Sequence, residues 1–541
     1  MIPVFVSYAT PSAFESGRDR TLIGMAANAR RPVRFHGRVV RNTMLLRFAL
    51  RALGEAVWSN DTWMSDDEYA SLLDPVITVH PDRIFFEAFS QDQSTYAMVI
   101  VDPTLFETDG EVRTGTTNVD FTAWLWAAMA ELRSSRETWL RIDPGGFDVQ
   151  TTGSGGRFEE KVDLPDSWVR GFLQLQAAMA MRGTRLTVRP VDLLSAIRYL
   201  RYTKAKVSPR ALRYEFMPGE DARIVLEPWE HVVPLRGAEH NYDEPRTIRT
   251  WGRRRLKLIE PLLPFAESVD IYLKGRALPT FYAVKLPGIT FVLGLSGWTG
   301  HRWTETGSFD LLSDTRGADQ ALLARVHTHL STHYTARVHS LADRLGEAPE
   351  IVATALEQLC RQGRAVYDVE TRGFRHRELF EEPIDEAKLY PPDARRESAR
   401  ALLESGSVRV TTCEPQEKRK VKKFKTPDGP QVREIIHREW RVEGSAGEQN
   451  AVSIVLNDLG RIVFGTCCCG FFRENLMNKG PCEHMVALLH GSAESRKDLP
   501  TSTAASEATL EAQRKPRTDD AEESGENDKE DEQDVDADDE T

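Results

Sequence analysis

Residues 465–490 read G-T-C-C-C-G-F-F-R-E-N-L-M-N-K-G-P-C-E-H-M-V-A-L-L-H. Cys467 and Cys469 stand two apart, twelve residues follow, and Cys482 and His484 stand two apart again, giving C-x-C-x12-C-x-H. Two tight pairs of soft nitrogen and sulfur donors are what a closed, four-coordinate structural zinc site requires. One structural zinc ion per chain is the expectation. The flanks suit it: residues 451–456 and 461–464 read as two strands around the turn Asn457-Asp458-Leu459-Gly460, so that Cys467 leaves a hairpin. On the far side Pro481 precedes Met485, Val486, Leu488 and Leu489, the pattern of a short helix with proline near its start, and His484 falls in its first turn. A ββα unit around one metal follows. Ordinary buried thiols are the alternative, but four of the six cysteines fall within sixteen residues, a clustering that chance does not produce.

Cys468 makes the first pair a triple. Adjacent side chains on extended backbone point to opposite faces, so Cys467 and Cys469 can share a metal while Cys468 faces away; a register with Cys468 as ligand is the alternative. On these residues the stretch resembles the SWIM zinc finger, whose pattern is C-x-C-x(n)-C-x-H, with Cys467, Cys469, Cys482 and His484 in its four ligand positions. The resemblance implies zinc binding and contact with protein or nucleic acid rather than catalysis. Long bacterial SWIM chains are associated with MoxR-type AAA ATPases and von Willebrand A-domain proteins, so the resemblance also implies a protein partner of that class.

A chain of 541 residues is too long for one core and predicts two to four domains. Its 40% hydrophobic and 28% charged content is that of a soluble protein. No apolar run approaches the ~18 residues of a membrane helix, and the first residues carry no secretory signal. Cytoplasmic localisation without membrane contact is expected. The net charge of -12 is concentrated in residues 518–541, which hold fourteen Asp or Glu and one Lys, leaving the other 517 residues near +1. Such a tail cannot bury enough apolar surface to offset ordering entropy, and disorder is expected. It reads as a solubilising tail or as an electrostatic decoy for basic surfaces.

The first 310 residues alternate strand-like and helix-like runs, which predicts a mixed α/β region of one or two domains. Helices are expected at 43–53, 121–132, 167–181 and 191–202, and strands at 83–89, 96–102, 139–143, 269–273, 280–285 and 289–293. No P-loop pattern is present. Gly294-Leu295-Ser296-Gly297-Trp298 resembles a nucleophile elbow only superficially, since its second glycine comes one residue early. Gly153-Ser154-Gly155-Gly156 reads as a flexible turn and His301 as a loop histidine. Arg253, Arg254, Arg255 and Lys257 form a basic cluster that suits phosphate contact or a solvated helix face. A non-enzyme is expected.

Residues 319–380 hold three amphipathic helices, centred on Leu322–Leu330, Val338–Leu345 and Ile351–Leu359, and then a hairpin over 365–369 and 374–379 around Thr371-Arg372-Gly373. That order looks like a winged helix-turn-helix. The outer face of its third helix, Glu350, Thr354, Glu357 and Arg361, has a net charge of -1, whereas a helix entering the major groove brings Arg, Lys, Asn or Gln. Its wing is basic, with Arg364, Arg372, Arg375 and Arg377. Protein docking is the favoured use. His329 and His333 form an i,i+4 pair that lacks a local carboxylate or cysteine, and solvated histidines are expected. Lys418, Arg419, Lys420, Lys422, Lys423 and Lys425 form the strongest positive run; it suits phosphate, the acidic tail in cis, or a charged strand edge.

The expected organisation is a multi-domain α+β chain: 1–310 a mixed α/β region, 311–392 a winged-helix-like module, 393–431 a connector with the basic patch, 432–492 the SWIM-type finger, and 493–541 a disordered acidic tail. The functional expectation is a zinc-binding adaptor that uses the finger for protein contact; the alternative is a nucleic-acid binder using finger, wing and lysine patch.

Overall fold

The computed structural model describes residues 2–6, 12–27, 33–57, 75–90, 93–119, 123–143, 160–164, 166–181, 183–275, 278–296, 318–380, 393–426, 429–447, 450–457, 460–477, 479–493, 495 and 509–510. The glycine run at 153–156, the second half of the 294–298 stretch, His301 and the acidic run 518–541 lie outside them. The chain is a mixed α/β, multi-domain protein with several sheets. It divides into two compact units: Met1–Gly307, Asp319–Arg337 and Leu356–Pro391 in the first, Ser308–Ala318, Val338–Ala355 and Pro392–Thr541 in the second.

The first unit is built on an eight-stranded antiparallel sheet. In spatial order its strands are Thr184–Val188, Ser268–Leu273, Thr280–Leu286, Ile289–Leu295, Thr95–Val101, Ile84–Phe89, Val76–Val79 and Gly115–Asn118. The central strands are apolar almost throughout (TYAMVIV, ITFVLGL) because both of their faces are buried. Helix Thr43–Val57 lies against three of them, with Leu46, Ala49, Leu50, Leu53 and Val57 recurring on one buried stripe. Its Gly54 is where Trp126 crosses: a Cβ there would stand 2.0 Å from the indole Cδ1. A five-stranded sheet runs Ala13–Ser16, Arg20–Ala26, Glu137–Asp143, Phe35–Val39, Phe106–Thr108, and a four-stranded one His231–Pro234, Arg223–Leu226, Leu212–Phe216, Arg246–Thr250. Helices Asp166–Ala180 and Pro190–Tyr202 stand close to the expected limits.

The hairpin Ala365–Asp368 and Gly373–His376, joined by Thr335–Ala336 into a three-stranded sheet, is fastened within this unit. Arg375 Nε donates to Asp368 at 2.6 Å and its Nη1 to Asp82 at 2.9 Å; Arg377 Nη1 bridges both oxygens of Glu87, at 2.9 and 3.1 Å. The Arg377 side chain is 0% exposed and Glu87 1%. The expectation that Arg375 and Arg377 belong to a basic wing is therefore corrected: both are buried on carboxylates, and two of these, Asp82 and Glu87, come from nearly three hundred residues earlier, beyond the reach of a local reading.

In the second unit four strands form one antiparallel sheet in chain order: Val408–Thr426, Gly429–Ala446, Asn450–Leu456 and Ile462–Cys467. The third strand meets the second only over Trp440–Ala446, so the first two run on as a two-stranded ribbon that carries the run 418–425. Thr509–Leu510 pairs with Val432 and Arg433 on this ribbon, opposite Lys423 and Lys422 in register. Helix Glu483–Gly491 packs on the sheet and on helix Ala394–Glu404, burying Met485, Val486, Ala487, Leu488 and Leu489. Gly444 permits this approach, since a Cβ there would meet the Arg409 carbonyl oxygen at 2.2 Å and Leu488 Cδ1 at 2.8 Å.

Candidate metal centre

Cys467 closes the strand Ile462–Cys467, opposite Val452. Two residues on, the chain turns into the short helix Gly470–Asn475, and Cys469 is its N-cap, its sulfur accepting the Phe472 N–H at 3.4 Å. Cys482 is the N-cap of helix Glu483–Gly491, which places His484 in the first turn. The intervening loop is held by a residue the sequence did not single out. Arg395 donates to the carbonyl oxygens of Lys479 at 2.6 Å and Pro481 at 2.9 Å, and lies 5.0 Å over the Phe471 ring. Asp393 in turn fixes Arg395, with a bond of 2.7 Å to its guanidinium.

The result is that one ligand atom from each of Cys467, Cys469, Cys482 and His484 lies within 4.8 Å of the others, a group that could hold a metal ion. Tetrahedral metal–sulfur bonds of about 2.3 Å put donors about 3.8 Å apart, so the spacing suits such an ion. Cys467 and Cys482 are buried. A hydrogen bond from Cys482 brings the Cys467 thiol down to about 6, while the same bond pushes Cys482 up and burial pushes Cys469 up. Three thiols this close cannot all carry charge unless a cation is shared among them. His484 points the same way: its Nδ1 is buried with no hydrogen-bond partner among the described residues, the Glu483 carboxylate standing 3.5 Å off. Its Nε2 lies 2.9 Å from the amide nitrogen of Asn450. Cys468 is exposed and outside the group, its sulfur 3.3 Å from Asn450 Oδ1.

A second group of possible donors is His327, His376 and Glu378. It contains neither His329 nor His333, whose rings stack on each other at 4.2 Å. The carboxylate that is missing locally arrives from the hairpin instead: Glu378 Oε1 is 2.8 Å from His327 Nε2 and 3.3 Å from His376 Nε2. Burial opposes charge on Glu378, but hydrogen bonds from both histidines and the Arg364 charge hold it at about 2. Arg364 Nη2 lies 3.2 Å from His327 Nδ1. A guanidinium only donates, so Nδ1 accepts, Nε2 carries the proton and donates to Glu378, and no lone pair of His327 is left for a metal. This is an ion-pair cluster.

The basic cluster at 253–257 is corrected as a phosphate site. Arg253 is buried, donates to the carbonyl oxygens of Ala211 and Glu227, and lies 5.0 Å over Trp229; Arg255 is buried and donates to Ser94 at 3.0 Å. Only Arg254 and Lys257 are exposed. Among the described residues no helix is long and apolar enough to cross a membrane.

The centre is thus a compact Cys3His group that could hold a metal ion. No family model matches the chain, and no curated protein matches it. Among solved structures it is similar to proliferating cellular nuclear antigen from Entamoeba histolytica, at 10% identity over 48% of this chain and 98% of that one, with a TM-score of 0.32. A second is the same antigen from Thermococcus kodakaraensis, at 12% identity, 48% and 99% coverage and a TM-score of 0.31.

Proposed function

We propose that this chain is a zinc-binding, non-enzymatic adaptor whose SWIM-like finger, with a winged-helix-like module beside it in sequence, docks a partner protein. The observation that carries the zinc reading is the Cys467, Cys469, Cys482 and His484 group, with the buried His484 Nδ1 making no hydrogen bond among the described residues. All four donors sit at element ends, and a metal shared between them ties the sheet to its packing helix, which is the role of a structural site. The helix order Gln320–His333, Val338–Leu345, Pro349–Arg361 followed by the hairpin supports the winged-helix-like reading. Docking of protein is favoured because Arg375, Arg377, Arg253 and Arg255, which phosphate would need, are buried on carboxylates, carbonyls and hydroxyls. The resemblance to long SWIM chains implies a MoxR-type AAA ATPase system as the partner class.

The second reading, nucleic-acid binding, is favoured by one feature: a two-stranded ribbon whose first strand carries six cations between Lys418 and Lys425. Salt separates the two. Phosphate binding falls with a log-log slope near -0.9 per contact on duplex DNA, whereas an interface with an apolar centre weakens far less. Titration of labelled duplex DNA and of a MoxR-type ATPase across a salt series tests both. The expected result is a DNA Kd above ~10 μM near physiological salt and an ATPase complex that survives several-fold higher salt. Submicromolar, sequence-selective DNA binding that is lost in Cys482→Ser would overturn the adaptor reading.

A further inference from the structure

We propose that Asn450 is the positioning residue of the metal centre, its side-chain amide holding the outer nitrogen of His484 with Cys468 at its far end; this rests on the zinc reading above. Asn450 opens the strand Asn450–Leu456, thirty-four residues before His484, and its amide is the group at hydrogen-bond distance from the histidine's outer nitrogen. The amide nitrogen stands 2.9 Å from His484 Nε2, and Oδ1 accepts from the Cys468 thiol at 3.3 Å. With Nε2 facing the Asn450 amide, the buried Nδ1 is the ring nitrogen left for a metal.

A metal on Nδ1 requires the lone pair of that atom. The ring proton must then reside on Nε2, which changes from acceptor to donor. Left as it is, the Asn450 amide would set one donor against another. A half-turn about its Cβ–Cγ axis presents Oδ1 to Nε2–H and the NH2 group to the Cys468 sulfur, which accepts as well as donates weakly. Amide oxygen and nitrogen have nearly the same size, so the turn displaces no neighbour. The loaded state then has what a ligating histidine ordinarily has, an oxygen on its second nitrogen that fixes tautomer and ring orientation. An aspartate at this position offers the same oxygen acceptor to Nε2–H, and a leucine offers none. This also gives Cys468 a role outside the ligand set: it holds the far end of the amide.

The test is zinc affinity of the full-length protein, measured by competition with a chromophoric chelator, for wild type, Asn450→Asp, Asn450→Leu and Asn450→Ser. Loss of the outer partner of a ligating histidine costs 10–100-fold in affinity. Asn450→Leu is expected to bind one zinc about 10–100-fold more weakly, and Asn450→Asp at least as tightly as wild type, with cobalt-substituted spectra that keep the tetrahedral Cys3His bands in both. Asn450→Ser, which keeps a small polar group at the head of the strand, gives the same comparison if the leucine variant does not fold. Equal affinities across the series, or an aspartate variant weaker than leucine, would overturn the role of Asn450. Absence of zinc from wild type is a different result, and it would overturn the zinc reading itself.

Discussion

His80 shows what burial does to a single titratable group. Its side chain is 3% exposed, its Nε2 lies 2.7 Å from the His376 carbonyl oxygen, and its ring meets Phe85 and Tyr334. Burial lowers its pKa to about 4, against the bond to His376, with the Arg375 charge adding to the fall. Nε2 therefore carries the proton and donates. Below the unfolded value of about 6.5 the unfolded chain takes up a proton that the folded one refuses, so stability is intact above that pH and falls as pH drops toward 4. The span sets an upper limit of about 3 kcal/mol. Urea unfolding of the first unit across pH 4–7 is expected to show this fall, and His80→Gln to flatten it; an equally steep profile in the variant would remove His80 as the cause. The other residue-scale lesson is in the cysteines. Spacing alone singled out Cys467, Cys469, Cys482 and His484, because two ligands two residues apart are a local signal. Asn450 and Arg395 carry no such signal, since their partners lie thirty-four and more than eighty residues away.

Elements were legible where their pattern is local. Helices at 43–57, 190–202 and 349–361 and the strands at 84–89, 280–286 and 450–456 follow the apolar period that announces them. The hairpin at 365–376 was legible as a hairpin and illegible as a buried one. Its arginines resemble a wing in sequence because an arginine facing Glu87 is spelled like one facing solvent. Arg377 lies among Glu87, Tyr96 and Phe172, with its Nε and Nη2 unpartnered among the described residues. Removing one partner of such a pair leaves a buried charge uncompensated, at about 3–5 kcal/mol, whereas replacing both by apolar groups is often neutral. Glu87→Gln is expected to lower the denaturation midpoint steeply, and Glu87→Leu with Arg377→Met to recover most of it. A double variant as unstable as the single one would show that the pair itself holds the hairpin.

At the scale of the molecule, the excess acidic charge and the metal group fall in different stretches of the sequence. Residues 518–541 carry a net charge of -13 against -12 for the whole chain, while the metal group is set in a sheet-and-helix frame. The mixed α/β character of residues 1–310 followed from alternating runs, but the strand order of an eight-stranded sheet did not: its neighbours, such as Thr95–Val101 beside Ile289–Leu295, pair across nearly two hundred residues. The Cys3His group was legible because its strands, cysteines and helix follow one another closely in sequence. In so small a frame metal binding is folding energy, which makes the metal the point on which the account stands or falls. Elemental analysis of full-length protein prepared without chelator, alongside Cys482→Ser, His484→Ala and Cys468→Ser, is the direct measurement. One zinc per chain is expected in wild type and Cys468→Ser, and its loss in the other two together with amide protection across 450–491. Wild-type protein without zinc, or equal loss from Cys468→Ser, would contradict it.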